Sequence, residues 1–238
     1  MIFTRELYLN QLIQKKQNGM VKIITGLRRC GKSFLLFNLF HNKLISQGVP
    51  ENHIIKIPLD NLDFIELRDK ISLYKFIKSK ITDNQQYYCF LDEIQLVKGF
   101  EEVLNSLLHI QNIDVYVTGS NSKFLSNDVI TEFRGRGEEI KISPLSFSEF
   151  FSVFNGTREQ ALEEYLTFGG LPKVAVMQTN EEKIKYLRSL FRKTYLTDIL
   201  ERYKIKNETE LEELINILAS SIGGLINPNK LINTFKSV

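Results

Sequence analysis

Apolar and polar positions change their spacing near residue 145, and this change divides the chain into two kinds of structure. Before it, short apolar runs alternate with segments of helical periodicity. The runs predict strands at 21–25, 53–59, 87–94, 114–120 and 138–145. Helices are predicted over 5–17, 32–46, 72–81, 99–110 and near 123–133. Strands that alternate with helices predict an α/β fold with a parallel sheet and right-handed crossovers.

Beyond residue 145 the pattern is helical. Helices are predicted over 146–154, 159–168, 181–203 and 208–220, with the stretch FGGLP at 168–172 between the second and third. A boundary between an α/β domain and an all-helical region is therefore expected at 145–150.

Composition and charge do not change this division into an α/β domain and an all-helical region. Of the 238 residues, 43% are apolar and 25% are charged, and the net charge of +3 is too mild to indicate nucleic acid by itself. No apolar run approaches the 18 or so residues of a membrane span, and the first residues, MIFTRELYLNQ, lack the apolar core of a signal peptide. We expect a cytoplasmic protein with no membrane partner. Cys30 and Cys89 have no Cys or His at ligand spacing, which argues against zinc and disulfides.

The stretch GLRRCGKS at 26–33 fits the pattern G-x-x-x-x-G-K-[ST] and lies between a predicted strand and a predicted helix. Glycines allow backbone N–H groups to turn toward phosphate oxygens, and the helix adds the positive end of its dipole. Lys32 would neutralise the β- and γ-phosphates, and the Ser33 hydroxyl would ligate Mg²⁺. The predicted nucleotide-binding residues are Gly26, Leu27, Arg28, Arg29, Cys30, Gly31, Lys32, Ser33 and Phe34. The alternative is a glycine-rich turn with an incidental lysine.

Individual residues inside this loop are less informative. Cys30 is interpreted as a small filler without a redox role. Arg28 and Arg29 receive no role beyond positive potential near the phosphates.

A second motif, YYCFLDEIQ at 87–95, places two carboxylates after a buried strand. Ligands bind at the carboxyl ends of strands in open α/β sheets. Asp92 would hold Mg²⁺ through water, and Glu93 would orient and deprotonate an attacking water. The adjacent glutamate favours hydrolysis over binding alone, and the alternative is an acidic loop after a buried strand.

Two further stretches carry polar candidates. In TGSNS at 118–122, Ser120 or Asn121 would hydrogen-bond the γ-phosphate or the water, although these residue types also cap helices. In FRGRGEE at 133–139, Arg134 and Arg136 flank a glycine before the fifth strand. An arginine set against the γ-phosphate of a neighbouring subunit would stabilise the transition state. Taken without further context, this pair favours a solvated loop.

The set GLRRCGKS, YYCFLDEIQ, TGSNS, FRGRGEEI and PLSFSEFF, followed by YLTFGGLPKV at 165–174, resembles the AAA+ superfamily. The likeness is to its bacterial and archaeal ATPases with an AAA_14-type core and a DUF4143 region. The resemblance implies a P-loop sheet of strand order 5-1-4-3-2 with a helical lid, ATP or ADP with Mg²⁺ as cofactors, and Asp92 and Glu93 as the Walker B pair. It also implies Asn121 or Ser120 as sensor 1, and Arg136, with Arg134 beside it, as arginine finger candidates. Such a finger acts in trans and implies self-association.

The same resemblance implies a division into domains. Residues 1–147 would form the ATPase core, 148–206 the helical lid, and 207–238 the start of a winged-helix segment. Members of the family continue into a complete winged helix and a nuclease-like domain, so a C-terminally truncated chain is expected.

Residues 183–206 form a basic stretch with eight lysines and arginines against two acids, interleaved with aromatic residues. Three interpretations stay open: a helix that tracks a phosphate backbone, a solvated helix with its aromatics in a core, or a lid that faces the nucleotide. DNA is a possible partner of the full-length protein and a doubtful one for this chain. The expected function is Mg-dependent ATP hydrolysis coupled to movement of an attached module. A slow-turnover nucleotide-gated switch is the first alternative and a small-molecule kinase the second, while the lack of an NKxD motif disfavours a GTPase.

Overall fold

A computed structural model of the chain describes residues 3–119, 135–224 and 227. The chain forms two compact units, residues 1–184 and 185–238. In the first unit the strands are β1 Val21–Gly26, β2 Ile54–Pro58, β3 Tyr87–Asp92, β4 Ile113–Thr118 and β5 Gly137–Ile142. The helix predicted near 123–133 lies outside the described residues.

All five strands run parallel in the order β2-β3-β4-β1-β5. This is the predicted order 5-1-4-3-2 read from the other edge, so the predicted sheet is confirmed. Strands β1 and β3 are buried at every position, because helices cover both faces of the sheet. Parallel pairing brings the carboxyl ends of β1, β3 and β4 to one edge, where the GLRRCGKS loop begins.

Helices pack on both faces of the sheet, and successive strand residues point to opposite faces. Helices α1 (Glu6–Gln14) and α2 pack with one set of strand side chains, which includes Ile24, Phe90 and Tyr116. Helix α2 is continuous and consists of an α-helical turn Lys32–Phe34, a π-helical segment Leu35–Phe40 and an α-helical segment His41–Ser46. Helices α3 (Lys70–Lys80) and α4 (Phe100–Leu107) pack with the other set. The dense apolar pattern of residues 32–46 thus corresponds to a helix with a buried face.

The described residues of the α/β part also contain the 3₁₀ segments Glu51–His53, Leu62–Arg68 and Ile94–Leu96. The last of these follows Glu93 directly and shapes the end of β3. Over the described residues, no helix has the length and apolarity that crossing a bilayer requires.

After β5 the first unit continues with α5 (Phe147–Phe151), α6 (Arg158–Phe168) and α7 (Pro172–Ala175). Helix α5 begins with a reciprocal capping box between Ser146 and Glu149, which satisfies backbone donors that a helix start leaves unpaired. Aromatic side chains of α5 and α6 form a small separate core around Phe150.

Two family-like motifs meet in this helical part. The Leu145 N–H donates to the Gly170 carbonyl at 2.7 Å, and the Tyr165 hydroxyl donates to the Leu145 carbonyl at 2.7 Å. A Cβ at position 170 would lie 2.2 Å from that same Leu145 oxygen, so the approach requires glycine. The contact links PLSFSEFF to FGGLP and fixes where α7 starts.

A long helix, α8, consists of Asn180–Leu190, a π-helical segment Phe191–Leu196 and Thr197–Tyr203. Most of it belongs to the second unit, as does α9 (Glu208–Ser220), whose first turn is capped by the Asn207 side chain. The last residues of the predicted winged-helix segment, 228–238, lie outside the described residues. The boundaries 1–147, 148–206 and 207–238 stay predictions.

Candidate functional site

The GLRRCGKS loop leaves the sheet at Gly26, where backbone geometry leaves no room for a side chain. Gly26 has a φ of 145°, and a Cβ there would lie 2.2 Å from the Ile142 carbonyl oxygen of β5. Any larger residue would push β1 away from β5 at the point where the loop begins. Gly31 has a φ of 99°, a region that glycine adopts readily, and it directly precedes α2.

The middle of the loop divides into exposed and buried residues. Leu27, Arg28 and Arg29 are exposed, and Arg29 has the left-handed φ of 65°. Cys30 is buried in the core, and its thiol donates to the Ile142 carbonyl at an Sγ–O distance of 3.7 Å. Burial raises the pKa of the Cys30 thiol, which keeps it protonated. Cys30 therefore packs beneath the loop, while its neighbours face outward.

The Lys32 side chain folds back over the GLRRCGKS loop. Its ammonium donates to the carbonyls of Gly26 and Leu27, both at 3.1 Å, and its side chain is buried. Helix α2 starts at Lys32, and the first N–H groups of a helix have no partner within the helix. A positive charge and several backbone donors thus converge inside one loop.

Ser33, Asp92 and Thr118 come together from three elements. The Ser33 hydroxyl donates to Asp92 Oδ1 at 3.0 Å, and the buried Thr118 hydroxyl donates to the same oxygen. Burial raises the pKa of Asp92, although these two donors oppose the effect, and the neighbouring Glu93 and Asp60 raise it further. The site therefore concentrates carboxylate groups in a region with little access to solvent.

Glu93 follows Asp92 in the left-handed conformation, with φ 52° and ψ 47°. Its backbone N–H donates to the Thr118 hydroxyl at 3.1 Å, so one threonine contacts both acidic residues. The Glu93 carboxylate accepts a hydrogen bond from the Gln95 amide.

These residues fit a magnesium nucleotide. A divalent cation prefers hard oxygen ligands, and Ser33 and Asp92 supply a hydroxyl and a carboxylate 3.0 Å apart. A cation there would also relieve the cost of keeping a buried carboxylate charged. The loop around Lys32 matches a phosphate in charge and donor content.

An apolar cavity of about 300 Å³ opens beside this loop. Phe3, Phe34, Pro172 and Val176 supply its apolar wall, and Arg5, Arg29 and Lys173 supply cationic groups. Pro172, the last residue of FGGLP and the first of α7, therefore lies beside the loop, and a Cβ on Gly31 would lie 3.9 Å from its ring.

Several predicted residues lie elsewhere. Ser120, Asn121 and Arg134 lie outside the described residues, so their predicted roles stay predictions. Arg136 is exposed and donates to the Asn105 side chain at 3.3 Å. Its carbonyl accepts from Val21 N at the amino end of β1, roughly 17 Å of strand from Gly26. The structure thus separates Arg136 from the GLRRCGKS loop of its own chain.

Not all of the basic residues at 183–206 are available to a partner. Lys183 is buried, forms an ion pair with Glu164 at 2.6 Å and lies over the Phe168 ring. It cannot track a phosphate backbone. Arg188 and Arg192 are exposed, and so is Tyr203, which the core interpretation would have buried.

Sequence reasoning missed three contributors. Thr118 stood inside the quoted TGSNS and Gln95 inside YYCFLDEIQ, but neither was assigned a role. A polar residue at the end of a strand next to β3 was the available signal for Thr118. The cavity residue Pro172 lay in a motif recognised through resemblance alone.

Parallel strands, a glycine-bounded loop and a facing carboxylate define a P-loop nucleoside triphosphatase fold. The sequence model of the AAA domain family, AAA_14, matches residues 18–151, and the chain belongs to this family of AAA+ ATPases. A domain of unknown function, DUF8612, matches residues 159–237. The DUF4143 label stays a prediction.

The chain spans about half to three-fifths of the curated relatives that it matches. It is 36% identical to an uncharacterized protein of Haemophilus influenzae, over 99% of this chain and 60% of the relative. It is 32% identical to an uncharacterized protein of Methanocaldococcus jannaschii, over 91% of this chain and 50% of the relative. Among solved structures, it is similar to the Aeropyrum pernix ORC1 protein in complex with DNA, with 14% identity, a TM-score of 0.48, and coverage of 87% of this chain and 62% of that one.

Proposed function

We propose that this protein binds ATP with Mg²⁺ and hydrolyses it, and that the cycle moves a module outside the nucleotide-binding core. The observation that carries the proposal is the convergence of Ser33, Asp92, Thr118 and Glu93 beside the Lys32 loop. A binding protein needs the loop and a metal ligand. A hydrolase also needs a base, and Glu93 stands next to the metal ligand.

The residues divide the chemistry between them. Lys32 and the first N–H groups of α2 bind the β- and γ-phosphates, with the Lys32 ammonium exchanging its two carbonyl partners for phosphate oxygens. Ser33 and Asp92 would hold a magnesium ion, which would supply charge neutralisation on the phosphates. Glu93 accepts the proton of the attacking water.

The apolar cavity is proposed to take the nucleotide base. Its phenylalanine, proline and valine side chains offer flat apolar contact to a purine ring, and it adjoins Gly31 and Phe34 of the phosphate loop. Lys173 is proposed to contact the polar edge of the base or the ribose. The buried Arg5 guanidinium already donates to the Ser143 carbonyl and pairs with Glu149, so it is not assigned to the nucleotide.

Phosphate release by Glu93→Gln tests this function. Wild type should release phosphate from ATP in a Mg²⁺-dependent manner, and the variant should bind ATP but release phosphate about 10²- to 10⁴-fold more slowly. Glu102→Gln is the matched control, because Glu102 is an exposed carboxylate on α4 that pairs with Lys70. Equal rates in wild type and the Glu93 variant would remove the catalytic assignment and leave a nucleotide-gated switch.

We also propose that Arg136 completes the site of a second copy. It lies at the amino edge of the sheet, so it cannot reach its own phosphate loop, and it is exposed there. Mixing two inactive variants, Arg136→Ala and Lys32→Ala, distinguishes the two arrangements. In trans, some mixed assemblies pair an intact loop with an intact arginine and recover activity. No recovery on mixing, together with association of the chains, would exclude the trans role.

Association with DNA stays a prediction that rests on residues 183–206. Exposed Lys185 and Arg188 support contact with a phosphate backbone, whereas exposed Arg192 pairs with Glu212 at 3.4 Å. Duplex DNA should then bind with an affinity that falls steeply with salt. A lack of binding at low ionic strength would remove this prediction for the present chain.

A further inference from the structure

Gln95 is held against the Glu93 side chain by the short turn that follows β3. Glu93 starts this turn in the left-handed conformation, and Leu96 N donates back to the Glu93 carbonyl at 3.0 Å. The chain reverses over three residues and brings the Gln95 side chain onto the carboxylate. Gln95 Nε2 donates to Glu93 Oε2.

At the other end of the same amide, Gln95 Oε1 is buried, and no donor among the described residues reaches it. Turning the amide over would set Oε1 against the Glu93 carboxylate, so hydrogen bonding fixes its orientation. A buried acceptor without a donor destabilises a fold, and an apolar side chain of equal length would avoid this cost. Within the described residues, the contact that a glutamine supplies here and an apolar side chain would lack is the Nε2 donor on Glu93.

We propose that Gln95 is a positioning residue for the catalytic carboxylate, an inference that rests on the proposed ATP hydrolysis. Its amide occupies Glu93 Oε2 and leaves Oε1 for the attacking water. In the reaction the water oxygen bonds to the γ-phosphorus, and the water proton passes to Glu93. The bond from the γ-phosphorus to the bridging oxygen breaks, with its electron pair leaving on ADP.

The amide matters because a glutamate side chain has three rotatable bonds. Without a partner on Oε2, the carboxylate would sample orientations in which neither oxygen faces the water. Catalysis depends on holding the base within hydrogen-bond distance of the proton that it takes. Gln95 reduces this freedom without contacting the nucleotide.

Gln95→Met tests the role, because it keeps the side-chain length and removes both the donor and the unsatisfied acceptor. We expect kcat for ATP hydrolysis to fall about tenfold or more, from the loss of a hydrogen bond to a charged group. The dissociation constant for ATP should stay within about twofold, and the melting temperature should be unchanged or higher. Gln86→Met is the matched control: Gln86 donates to the Tyr87 carbonyl at 2.8 Å at the amino end of the same strand. It should leave kcat unchanged.

The double variant Glu93→Gln with Gln95→Met separates positioning from a general structural effect. If Gln95 acts through Glu93, adding Gln95→Met to the glutamine variant lowers the residual rate no further. An unchanged or raised kcat in Gln95→Met would overturn the inference, as would a fall in kcat that accompanies a lower melting temperature. If wild type is no faster than Glu93→Gln, the proposed hydrolysis itself has failed, and this result is distinct from the others.

Discussion

The buried ion pair between Lys22 and Asp114 is the charge interaction on which we expect the sheet to depend most strongly. Lys22 lies on β1 with 0% of its surface exposed, and its ammonium donates to Asp114 of β4 and to the Met20 carbonyl. Asp114 also accepts from the Tyr116 hydroxyl at 2.8 Å and from Gln17 N at 2.9 Å. The pair thus joins β1 to β4. These two strands carry the GLRRCGKS loop and Thr118 to the candidate functional site.

Asp114→Asn removes the charge, keeps the shape and leaves the Lys22 ammonium buried without a counter-ion. Breaking a buried pair in this way costs about 3–5 kcal/mol. For a protein of this size, that corresponds to a fall in melting temperature of about 6–20 °C. Glu102→Gln, which breaks the exposed pair with Lys70, should cost less than about 1 kcal/mol.

The direction in which the stability deficit of Asp114→Asn changes with pH also follows from the structure. Burial lowers the pKa of Lys22, and Asp114 opposes this, so its removal lowers that pKa further. Between the folded and unfolded pKa values the unfolded chain binds more protons, and stability then rises with pH. The deficit of Asp114→Asn relative to wild type should therefore shrink from pH 7 toward pH 10 in calorimetric melts. A deficit under 1 kcal/mol at pH 7, or one that grows with pH, would refute the reasoning.

Three further predictions concern the site and its support. Asp92→Asn should raise the melting temperature at pH 7.5, because burial raises the pKa of Asp92 and its charged form therefore opposes folding. The gain should disappear as pH falls below about 3.9, the ordinary pKa of an aspartate in the unfolded chain. A scan series across pH that finds no gain would contradict this. Thr118→Val should lower the free energy of unfolding by about 1–3 kcal/mol and slow hydrolysis, since the Glu93 N–H loses its acceptor. Thr118→Ser keeps the hydroxyl and should retain both stability and rate. Denaturant titrations measure the first effect and phosphate assays the second. Gly170→Ala should destabilise by about 1–3 kcal/mol because its Cβ would lie 2.2 Å from the Leu145 oxygen, and equal unfolding midpoints would show that the motif contact is dispensable.

Much of the fold was predictable because its signals are local. Apolar runs predicted four of the five strands within one or two residues of their observed ends, while the fifth was predicted to end at 145 and ends at Ile142. Alternation with helices predicted the parallel sheet. Strand order came from resemblance, since spacing along the chain does not say which strands are neighbours. The basic stretch shows where local reasoning fails. Lys183 counts as a surface charge in the sequence, but a carboxylate on α6 pairs with it inside the protein.

For the candidate site, too, local sequence patterns predicted some features and tertiary contacts decided the others. By itself, the sequence predicted GLRRCGKS as a phosphate-binding loop and located the acidic pair at the end of β3, because residue type, spacing and flanking strands are local properties. Tertiary structure decided which groups contact these residues. Thr118 bridges Asp92 and Glu93 because β3 and β4 pair in parallel and end together, and Gln95 contacts Glu93 because a left-handed residue reverses the chain. Arg136 is separated from its own loop because parallel strands place their two ends on opposite edges of the sheet. These relations depend on contacts between distant residues, and no single stretch of sequence contains them.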